Sequence, residues 1–236
     1  MSASSSILID ICDNICKIYM TVFLYKKIYL IYNEHIIKKG GNFMKLKGTK
    51  TCENLMKSFV NESQASIRYG YYASQAKKDG YVQIQNIFLE TSQNEEQHAK
   101  RFYKFLKDEL DGEMIEACGT YPVALQDTLA NLKAAAEGEN EEWTTVYPEF
   151  AKIAKEEGFN EIAAVFTHIG EVEKAHYNRY KKLIENIEAG KVFKRGDVYI
   201  WKCLNCGYLY EGKEAPKKCP ACDHPQAHFE IFVENY

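Results

Sequence analysis

Residues 88–106 read FLETSQNEEQHAKRFYKFL, and residues 166–184 read FTHIGEVEKAHYNRYKKLI. Both stretches repeat apolar side chains every three or four residues, which is the period of one face of an α-helix. Near the middle of each apolar face stands a Glu-x-x-His motif, Glu95 with His98 and Glu173 with His176. Side chains three positions apart lie one above the other on a helix, so each motif presents a carboxylate and an imidazole together.

Two further helical segments accompany these stretches. The four predicted helices cover about residues 51–78, 82–109, 123–156 and 159–188. Pro148 lies inside the third segment and is expected to kink it. The apolar seam of the first segment contains Glu62, and that of the third contains Glu139 and Glu142. Seams of this kind face the core of a helix bundle, so the pattern predicts a mainly α four-helix bundle.

Charged side chains in such seams need a counter-charge. Carboxylates that share a buried site lose their hydration and repel one another, and a multivalent cation removes both costs. Single glutamates from two helices and Glu-x-x-His from the other two form the donor set of dinuclear sites in ferritin-like bundles. The candidate ligands are Glu62, Glu95, His98, Glu139, Glu142, Glu173 and His176. A lone Glu-x-x-His is usually a solvated helix face, but two at mid-seam on alternate helices favour a metal site.

Two tyrosines follow the single glutamates at short intervals. Tyr69 lies seven residues beyond Glu62, and Tyr147 lies five residues beyond Glu142. Each could hydrogen-bond a ligand carboxylate from outside the ligand set. An ordinary core or partly exposed tyrosine is an equally good interpretation of either position, since the chain has 17 tyrosines.

A cysteine cluster lies near the end of the chain, where residues 201–222 read WKCLNCGYLYEGKEAPKKCPAC. Two Cys-x-x-Cys pairs can supply four thiolates in a tetrahedron. The candidate ligands are Cys203, Cys206, Cys219 and Cys222. With zinc this would be a structural site that stabilises the fold, and with iron it would be a one-electron carrier. Zinc sites with this cysteine spacing are more common than iron sites, but the spacing by itself does not decide the identity of the metal.

Composition excludes some functions, and the first 43 residues stand apart. The formal net charge of −3, from 30 basic and 33 acidic residues, argues against nucleic-acid binding. Residues 1–43 are rich in Ile, Tyr, Lys and Asn, and contain no convincing membrane span or export signal. The peptide GGNFM at 40–44 can be encoded by a ribosome-binding sequence and a start codon. We therefore expect the protein to begin at Met44 and residues 1–43 to lie outside the fold.

From about Met44 to Tyr236 the chain resembles the rubrerythrin family. The resemblance is carried by AAAEGENEEWTTVYPEF at 134–150, EVEKAHYNRY at 171–180 and WKCLNCGYLYEGKEAPKKCPACDHPQAHF at 201–229, with similar stretches around Glu62 and Glu95. It implies a ferritin-like four-helix domain over residues 44–192. A small rubredoxin-like four-cysteine domain of strands and loops would follow over residues 193–236.

The same resemblance assigns the metals and their ligands. It implies an oxo-bridged diiron site held by Glu62, Glu95, Glu139, Glu142, Glu173 and His176. His98 would be a conditional ligand, because in this family one iron moves between a carboxylate and this histidine as its oxidation state changes. Glu142 would be the extra carboxylate, and Tyr69 and Tyr147 the tyrosines beyond the ligands. The four cysteines would hold one rubredoxin-type iron.

The activity implied is reduction of hydrogen peroxide to water, as a cytoplasmic defence against oxidative stress. Electrons would come ultimately from NADH through a separate reductase or rubredoxin, since the sequence has no glycine-rich dinucleotide fingerprint. A head-to-tail homodimer is expected, without nucleic-acid or membrane partners. Two alternatives remain open: a ferritin-like ferroxidase or iron-handling protein, and a non-enzymatic interaction module with a structural zinc ribbon.

Overall fold

The computed structural model describes residues 45–235. The predictions made for residues 1–43 lie outside this range. Among the described residues, no helix combines the length and the apolar character needed to cross a bilayer. The described part of the chain is mainly helical, with a small antiparallel sheet at its C-terminal end.

Five α-helices and one π-helical turn build the first part. They are α1 Lys50–Lys78, α2 Val82–Leu110, α3 Thr128–Glu141, the π turn Glu142–Val146, α4 Tyr147–Glu156 and α5 Asn160–Glu188. The π turn and α4 continue directly from α3, so together they form the third member of a four-helix bundle. The predicted ferritin-like bundle is thus confirmed, with one long member that changes its hydrogen-bonding pattern part way along.

The third member differs from its sequence prediction in two respects. It begins at Thr128 and not near residue 123, because the Asp127 carboxylate accepts the Ala130 backbone N–H at 2.8 Å and caps the helix there. Residues 111–127 form an irregular connection, in which Leu125 is 58% exposed and not part of a seam. Pro148 stands at the start of α4, directly after the π turn. The missing N–H of Pro148 is thus accommodated by a local change of helix type.

The bundle consists of two similar helical hairpins, which we call the first half (α1 and α2) and the second half (α3 to α5). In each half, the first member of the bundle is followed by an acidic residue and then by a glycine with positive φ. These residues are Asp79 and Gly80 (φ 86°) after α1, and Glu157 and Gly158 (φ 83°) after α4. Only glycine adopts such a φ without strain, and it allows the tight reversal into the next helix.

The same acidic residues join the two halves. The Asp79 carboxylate accepts from the Thr128 backbone N–H at 2.9 Å and from its hydroxyl at 2.6 Å. The Glu157 carboxylate accepts from the Thr51 backbone N–H at 2.8 Å and from its hydroxyl at 2.6 Å. Each half therefore caps the positive N-terminal end of the other half's first helix.

The core of the bundle has two apolar layers. One contains Leu55, Phe102 and Phe166, and the other contains Tyr72, Phe88 and Leu132. The glutamates and histidines of the seams lie on the helical turns between the residues of these two layers. The bundle therefore holds a polar layer in the middle of its core.

The C-terminal part is a three-stranded antiparallel sheet in the order β2-β1-β3. Its strands are β1 Lys194–Cys203, β2 Leu209–Glu214 and β3 Phe229–Ile231. Trp201 and Phe229 pack with Cys203 and Cys219 in its small core. This sheet packs against the turn between α1 and α2, where Tyr81 stacks on Phe193 at 6.1 Å between ring centroids.

Candidate metal centres

The polar layer brings together six of the seven candidate ligands that the seams predicted, and Glu142 belongs to neither of its donor groups. Glu62, Glu95, Glu139 and Glu173 are each at most 1% exposed, in helices α1, α2, α3 and α5. Their donor atoms form two overlapping groups, and within each group all atoms lie within 4.8 Å of one another. The groups are Glu62, Glu95, His98 and Glu173, and Glu95, Glu139, Glu173 and His176. Glu95 and Glu173 belong to both groups, which is the arrangement that two adjacent cations with bridging carboxylates require.

Each imidazole faces several carboxylate oxygens at once. His98 Nδ1 lies 2.8 Å from Glu95 Oε2 and 3.0 Å from Glu173 Oε1. His176 Nδ1 lies 2.8 Å from Glu173 Oε2 and 3.2 Å from Glu95 Oε1. The two nitrogens thus occupy equivalent places on opposite sides of the shared glutamates.

Many of these donor atoms have no hydrogen-bond partner among the described residues. The unpartnered atoms include His98 Nδ1, both carboxylate oxygens of Glu95, Glu62 Oε2, Glu139 Oε2 and Glu173 Oε1. His98 Nδ1 lies close to carboxylate oxygens of Glu95 and Glu173 but is hydrogen-bonded to neither. Buried polar groups are normally paired, so converging lone pairs of this kind fit bound cations. Carboxylate and imidazole donors suit iron.

The shifted pKa values in this layer show how unfavourable its buried carboxylate charges are when no cation balances them. Burial, reinforced by the neighbouring carboxylates, raises the pKa of Glu62 and of Glu142 well above the usual range. Burial also raises the pKa of Glu139 to about 8. Burial acts against the charged form of His176, but the nearby carboxylates of Glu139, Glu173 and Glu95 outweigh it and raise that pKa to about 12. Metal binding would displace these protons, since ligands bind metals in their deprotonated forms.

The two tyrosines connect one half of the bundle to the other. Tyr69 Oη donates to Glu139 Oε1 at 2.5 Å, and Tyr147 Oη donates to Glu62 Oε1. Tyr69 lies seven residues after Glu62, and Tyr147 lies eight residues after Glu139. The π turn between Glu139 and Tyr147 accounts for the extra residue, because it takes one more residue per turn. The two tyrosines are therefore equivalent members of the two halves.

The π turn also places Glu142 beside the polar layer. Glu142 is 8% exposed, and one of its oxygens accepts a hydrogen bond from the Asn61 side-chain amide. The Arg68 guanidinium lowers the pKa of Glu142 to some extent, against the larger effects of burial, Glu139 and Glu173. Asn61 and Arg68 were not predicted as part of this region. Both stand in α1 directly before predicted residues, Asn61 before Glu62 and Arg68 before Tyr69.

The four cysteines form a separate centre. All four Sγ atoms lie within 4.8 Å of one another, with Cys203 to Cys222 at 3.7 Å and Cys206 to Cys219 at 3.7 Å. A disulfide would need about 2.0 Å. A tetrahedral thiolate site with metal–sulfur bonds of about 2.3 Å has sulfur–sulfur edges of about 3.8 Å. The geometry therefore fits one four-coordinate metal ion.

Matching turns shape this centre. The Gly207 backbone N–H donates to the Cys203 carbonyl at 2.8 Å, and the Asp223 N–H donates to the Cys219 carbonyl at 2.9 Å. Gly207 and Asp223 both have positive φ, at 80° and 66°. Glycine adopts this region freely, and aspartate tolerates it better than most other residues.

Known proteins are similar to both parts of the described chain. The family model described as rubrerythrin matches residues 53–184, and the model of the rubredoxin-like domain of rubrerythrin matches residues 201–230. The chain is 64% identical over 192 residues to rubrerythrin from Clostridium perfringens, covering 81% of this chain and 98% of that protein. It is 48% identical over 192 residues to rubrerythrin from Nitratidesulfovibrio vulgaris, with the same coverage of 81% and 98%.

Solved structures agree with these matches. Partially reduced nigerythrin superposes with a TM-score of 0.53 at 30% identity, covering 83% of this chain and 96% of the other. A Desulfovibrio desulfuricans bacterioferritin, 24% identical over 64% of this chain and 87% of its own, shares the bundle fold with a TM-score of 0.56. The glutamate–histidine layer fits the diiron site of such proteins, and the four cysteines fit a rubredoxin-like site. This chain belongs to the rubrerythrin family.

Proposed function

We propose that the protein reduces hydrogen peroxide to water with electrons that come from NADH through a separate reductase or rubredoxin and then through the four-cysteine iron. The observation that supports this most directly is the pairing of two different donor sets in one chain, one for two metal ions and one for a single ion. Two ferrous ions held by the glutamate–histidine layer would supply the two electrons that peroxide needs, and an iron held by the four cysteines would pass electrons one at a time. Simple iron storage would not require the second centre.

We assign the individual ligands from their places in the polar layer. Glu62 and His98 would hold one iron, and Glu139 and His176 the other. Glu95 and Glu173 would lie between them, because they belong to both donor groups. His98, whose side chain is 13% exposed against 6% for His176, has more freedom to act as the conditional ligand. Glu142 would be the extra carboxylate of the set.

Tyr69 and Tyr147 would fix the orientation of the terminal carboxylates. Each hydroxyl donates to a glutamate of the opposite half, so that carboxylate is held by hydrogen bonding as well as by its own helix. Burial and the nearby carboxylates raise the pKa of both tyrosines well above the usual range. The hydroxyl protons therefore stay on the tyrosines, where they can keep donating to the carboxylates.

The distance between the centres within one chain supports a head-to-tail homodimer. The cysteine domain packs beside Gly80, where Ala227 Cβ is 3.9 Å from the place of an added Cβ. Helix α1 runs from Glu62 almost to that point, and 17 residues of helix span about 26 Å. Electron tunnelling falls off steeply over such a distance. In a head-to-tail dimer the cysteine domain of the partner subunit would come closer to the diiron site.

The surface of the cysteine domain suits a docking role. Several large apolar side chains of β1, β2 and the turn between them are more than one third exposed: Val198, Tyr199, Ile200, Tyr208, Leu209 and Tyr210. Cys206 is also exposed, whereas Cys203 and Cys219 are buried. The partner subunit or the electron donor would bind near the exposed sulfur.

We further propose domains over residues 44–192 and 193–236, and a cytoplasmic location in oxidative stress defence.

The test is an NADH-coupled peroxide assay with a suitable reductase, on protein loaded with iron at both centres. Cys206→Ser should lower turnover by about 100-fold or more, because it removes a ligand of the relay while leaving the diiron site assembled. The visible spectrum should lose its ferric tetrathiolate bands. Cys118→Ser, which alters an exposed cysteine outside both donor sets, serves as the matched control.

Two results would contradict the proposal. Full NADH-linked activity in Cys206→Ser would exclude the relay. Rapid Fe²⁺ oxidation with growth of a ferric mineral, and no peroxide consumption coupled to NADH, would favour the ferroxidase alternative. A native protein that contains zinc only would favour the interaction module.

A further inference from the structure

A cavity of about 620 Å³ opens beside the polar layer, between α1, the third helix of the bundle and the irregular connection 111–127. Glu142, Tyr69 and Tyr147 line it, so it reaches the proposed ligands and the tyrosines that orient them. A water molecule takes up about 30 Å³, and hydrogen peroxide is little larger. The cavity is therefore many times larger than hydrogen peroxide requires.

The walls of this cavity are suited to an organic molecule. Apolar side chains from three parts of the chain line it: Ala65, Ala134, Val146 and Phe150 from the helices, and Pro122 from the connection. Small-molecule sites are typically apolar cavities of about 300–1,000 Å³ with a few polar groups that set orientation. This cavity has that size and composition.

Two of its polar groups are buried without a partner. Ser58 is 3% exposed, and its hydroxyl has no hydrogen-bond partner among the described residues. Arg68 Nε and Nη1 are likewise buried and unpartnered within the described part of the chain. Buried polar groups are normally hydrogen-bonded, so these unpartnered groups indicate that a partner is missing. Both residues line the cavity, so the oxygen atoms of a bound molecule would satisfy them.

The charges at the cavity indicate a neutral ligand. Glu137 and Glu141 line it, and Glu142 would be a metal ligand. Lys57 is paired with Glu53 at 2.6 Å, and Arg68 is the remaining cation of the lining. Negative and positive charges around the cavity therefore nearly balance, and an anionic tail, such as the carboxylate of a fatty acid, would also approach Glu137 and Glu141. A neutral apolar body with one polar end matches the lining better.

We propose that this cavity binds organic hydroperoxides with a neutral apolar body, and that the protein reduces them. This inference rests on the proposed peroxidase function and extends its substrate class. In the reaction R–O–O–H takes up two electrons from the two ferrous ions and two protons from solvent. The O–O bond breaks, and R–OH and water leave. The apolar group R would occupy the cavity while the hydroperoxide end points toward Glu142.

Two glycines permit a matched test of binding. A Cβ added at Gly138 or at Gly70 would have no atom within 4 Å apart from those of its chain neighbours and of its own helix backbone, so neither position is crowded. Gly138 lines the cavity, whereas Gly70 does not. Both lie inside helices, where replacing glycine favours the helix. Gly138→Leu should therefore fill the cavity, and Gly70→Leu should test the same substitution elsewhere.

Calorimetric titration of the iron-loaded protein with 2-phenyl-2-propanol, the alcohol formed from cumene hydroperoxide, measures occupation of the cavity without turnover. Saturable binding is expected in the wild type and in Gly70→Leu, with affinity reduced about tenfold or more in Gly138→Leu. Absence of binding to the wild type, or equal binding to Gly138→Leu and Gly70→Leu, would overturn the assignment of the cavity.

Reduction is measured by mixing the anaerobically reduced protein with cumene hydroperoxide or with hydrogen peroxide, and by following the oxidation of the diiron site with time; the alcohol formed from cumene hydroperoxide is also quantified. The ratio of the two rate constants should shift by about tenfold against cumene hydroperoxide in Gly138→Leu, and should not shift in Gly70→Leu. Reduction of hydrogen peroxide only would overturn this inference and leave the proposed function standing. Reduction of neither hydroperoxide would reject the peroxidase function itself, and this inference with it.

Discussion

The first and second halves of the helical domain are built from the same parts. Each contributes one terminal glutamate, one Glu-x-x-His motif, one tyrosine that reaches across to the other half, and one acidic cap followed by a glycine. The donor groups are equivalent too, with Glu62 and His98 on one side and Glu139 and His176 on the other. Each half leaves donors that only the other half completes, which explains why neither hairpin would form the site by itself.

The second half contains one inserted residue between its terminal glutamate and its tyrosine, and this insertion changes the chemistry of the site. The π turn Glu142–Val146 occurs in the second half only, while α1 continues as a regular helix past the equivalent point. Glu142 stands three residues after Glu139, and the matching position after Glu62 is Ala65. One half thus adds a carboxylate to the layer where the other adds a methyl group, and the large cavity lies between these two positions.

The largest expected effect concerns the glutamates that both donor groups share. Glu95→Ala and Glu173→Ala should each lower the affinity for iron at the helical site by more than about 100-fold, because each removes a donor from both groups. The two variants should lose equal amounts of iron and keep the iron of the cysteine site. Iron content and the visible spectrum measure this.

The exposed Glu171, on the same helix as Glu173, provides the control variant Glu171→Ala. If Glu95→Ala kept its iron while Glu173→Ala lost it, the two shared carboxylates would not be equivalent, and the two-fold description of the site would be wrong.

A smaller effect is expected from removing the difference between the halves. Deletion of Thr144 combined with Pro148→Ala should convert the π turn to regular helix and change the position of Glu142 relative to the other carboxylates of the layer. Glu142→Ala removes the same carboxylate and keeps the turn. Both variants should retain iron and lose about tenfold in kcat/KM for peroxide, a typical cost for a group that tunes a metal site.

Pro148→Ala alone is the control, because it keeps the extra residue. Steady-state kinetics at matched iron content decide the outcome. Wild-type kinetics in both the deletion variant and Glu142→Ala would show that the asymmetry of the halves has no role in turnover.

The smallest effect concerns the acidic caps, and it tests the symmetry far from the metals. Asp79→Ala and Glu157→Ala should each reduce the free energy of unfolding by about 1 kcal/mol, since each removes the cap of a helix N-terminus. Urea unfolding at neutral pH measures this. Glu156→Ala, at the exposed neighbour of Glu157, should leave stability almost unchanged.

Acid should abolish the difference between wild type and these cap variants. Burial is the largest single influence on both carboxyls and raises each pKa, but the hydrogen bonds, led by those from Thr128 to Asp79 and from Thr51 to Glu157, together outweigh it and hold each pKa below its usual value. A lowered folded-state pKa stabilises the protein above the unfolded-state pKa, and this contribution disappears as the pH falls through the folded-state value. A difference that persisted in strong acid would show that the charge of the cap contributes little.

Sequence periodicity predicted most of the bundle and its donor residues. The seams place Glu62, Glu95 and Glu173 in the core because apolar neighbours three and four residues away bury the same helix face. It failed where hydrogen bonding departs from the regular helix. Leu125 fits the seam of the third helix, but the Asp127 cap starts that helix later. Pro148 indicated a disturbance without indicating its form, because a kink and a π turn both accommodate a missing N–H.

The sequence predicts more of the cysteine centre than of the helical metal site. Two Cys-x-x-Cys pairs define the donors and their number by local geometry alone, because each pair is held by its own turn. Only the positive φ of Asp223 and the different exposure of Cys203 and Cys206 required the fold. The donors of the helical site come from four separate helices, and their identities follow from helical periodicity, which repeats along each chain segment.

Their combination is a different matter. Periodicity along one helix carries no information about which residue of another helix lies opposite, so the pairing of Tyr69 with Glu139 and of Tyr147 with Glu62 appears only when the two halves pack. The same is true of the sharing of Glu95 and Glu173 between two donor groups, and of the cavity that connects Glu142 to solvent. Chemical identity and local spacing are properties of the chain, whereas convergence, burial and access are properties of the packed helices.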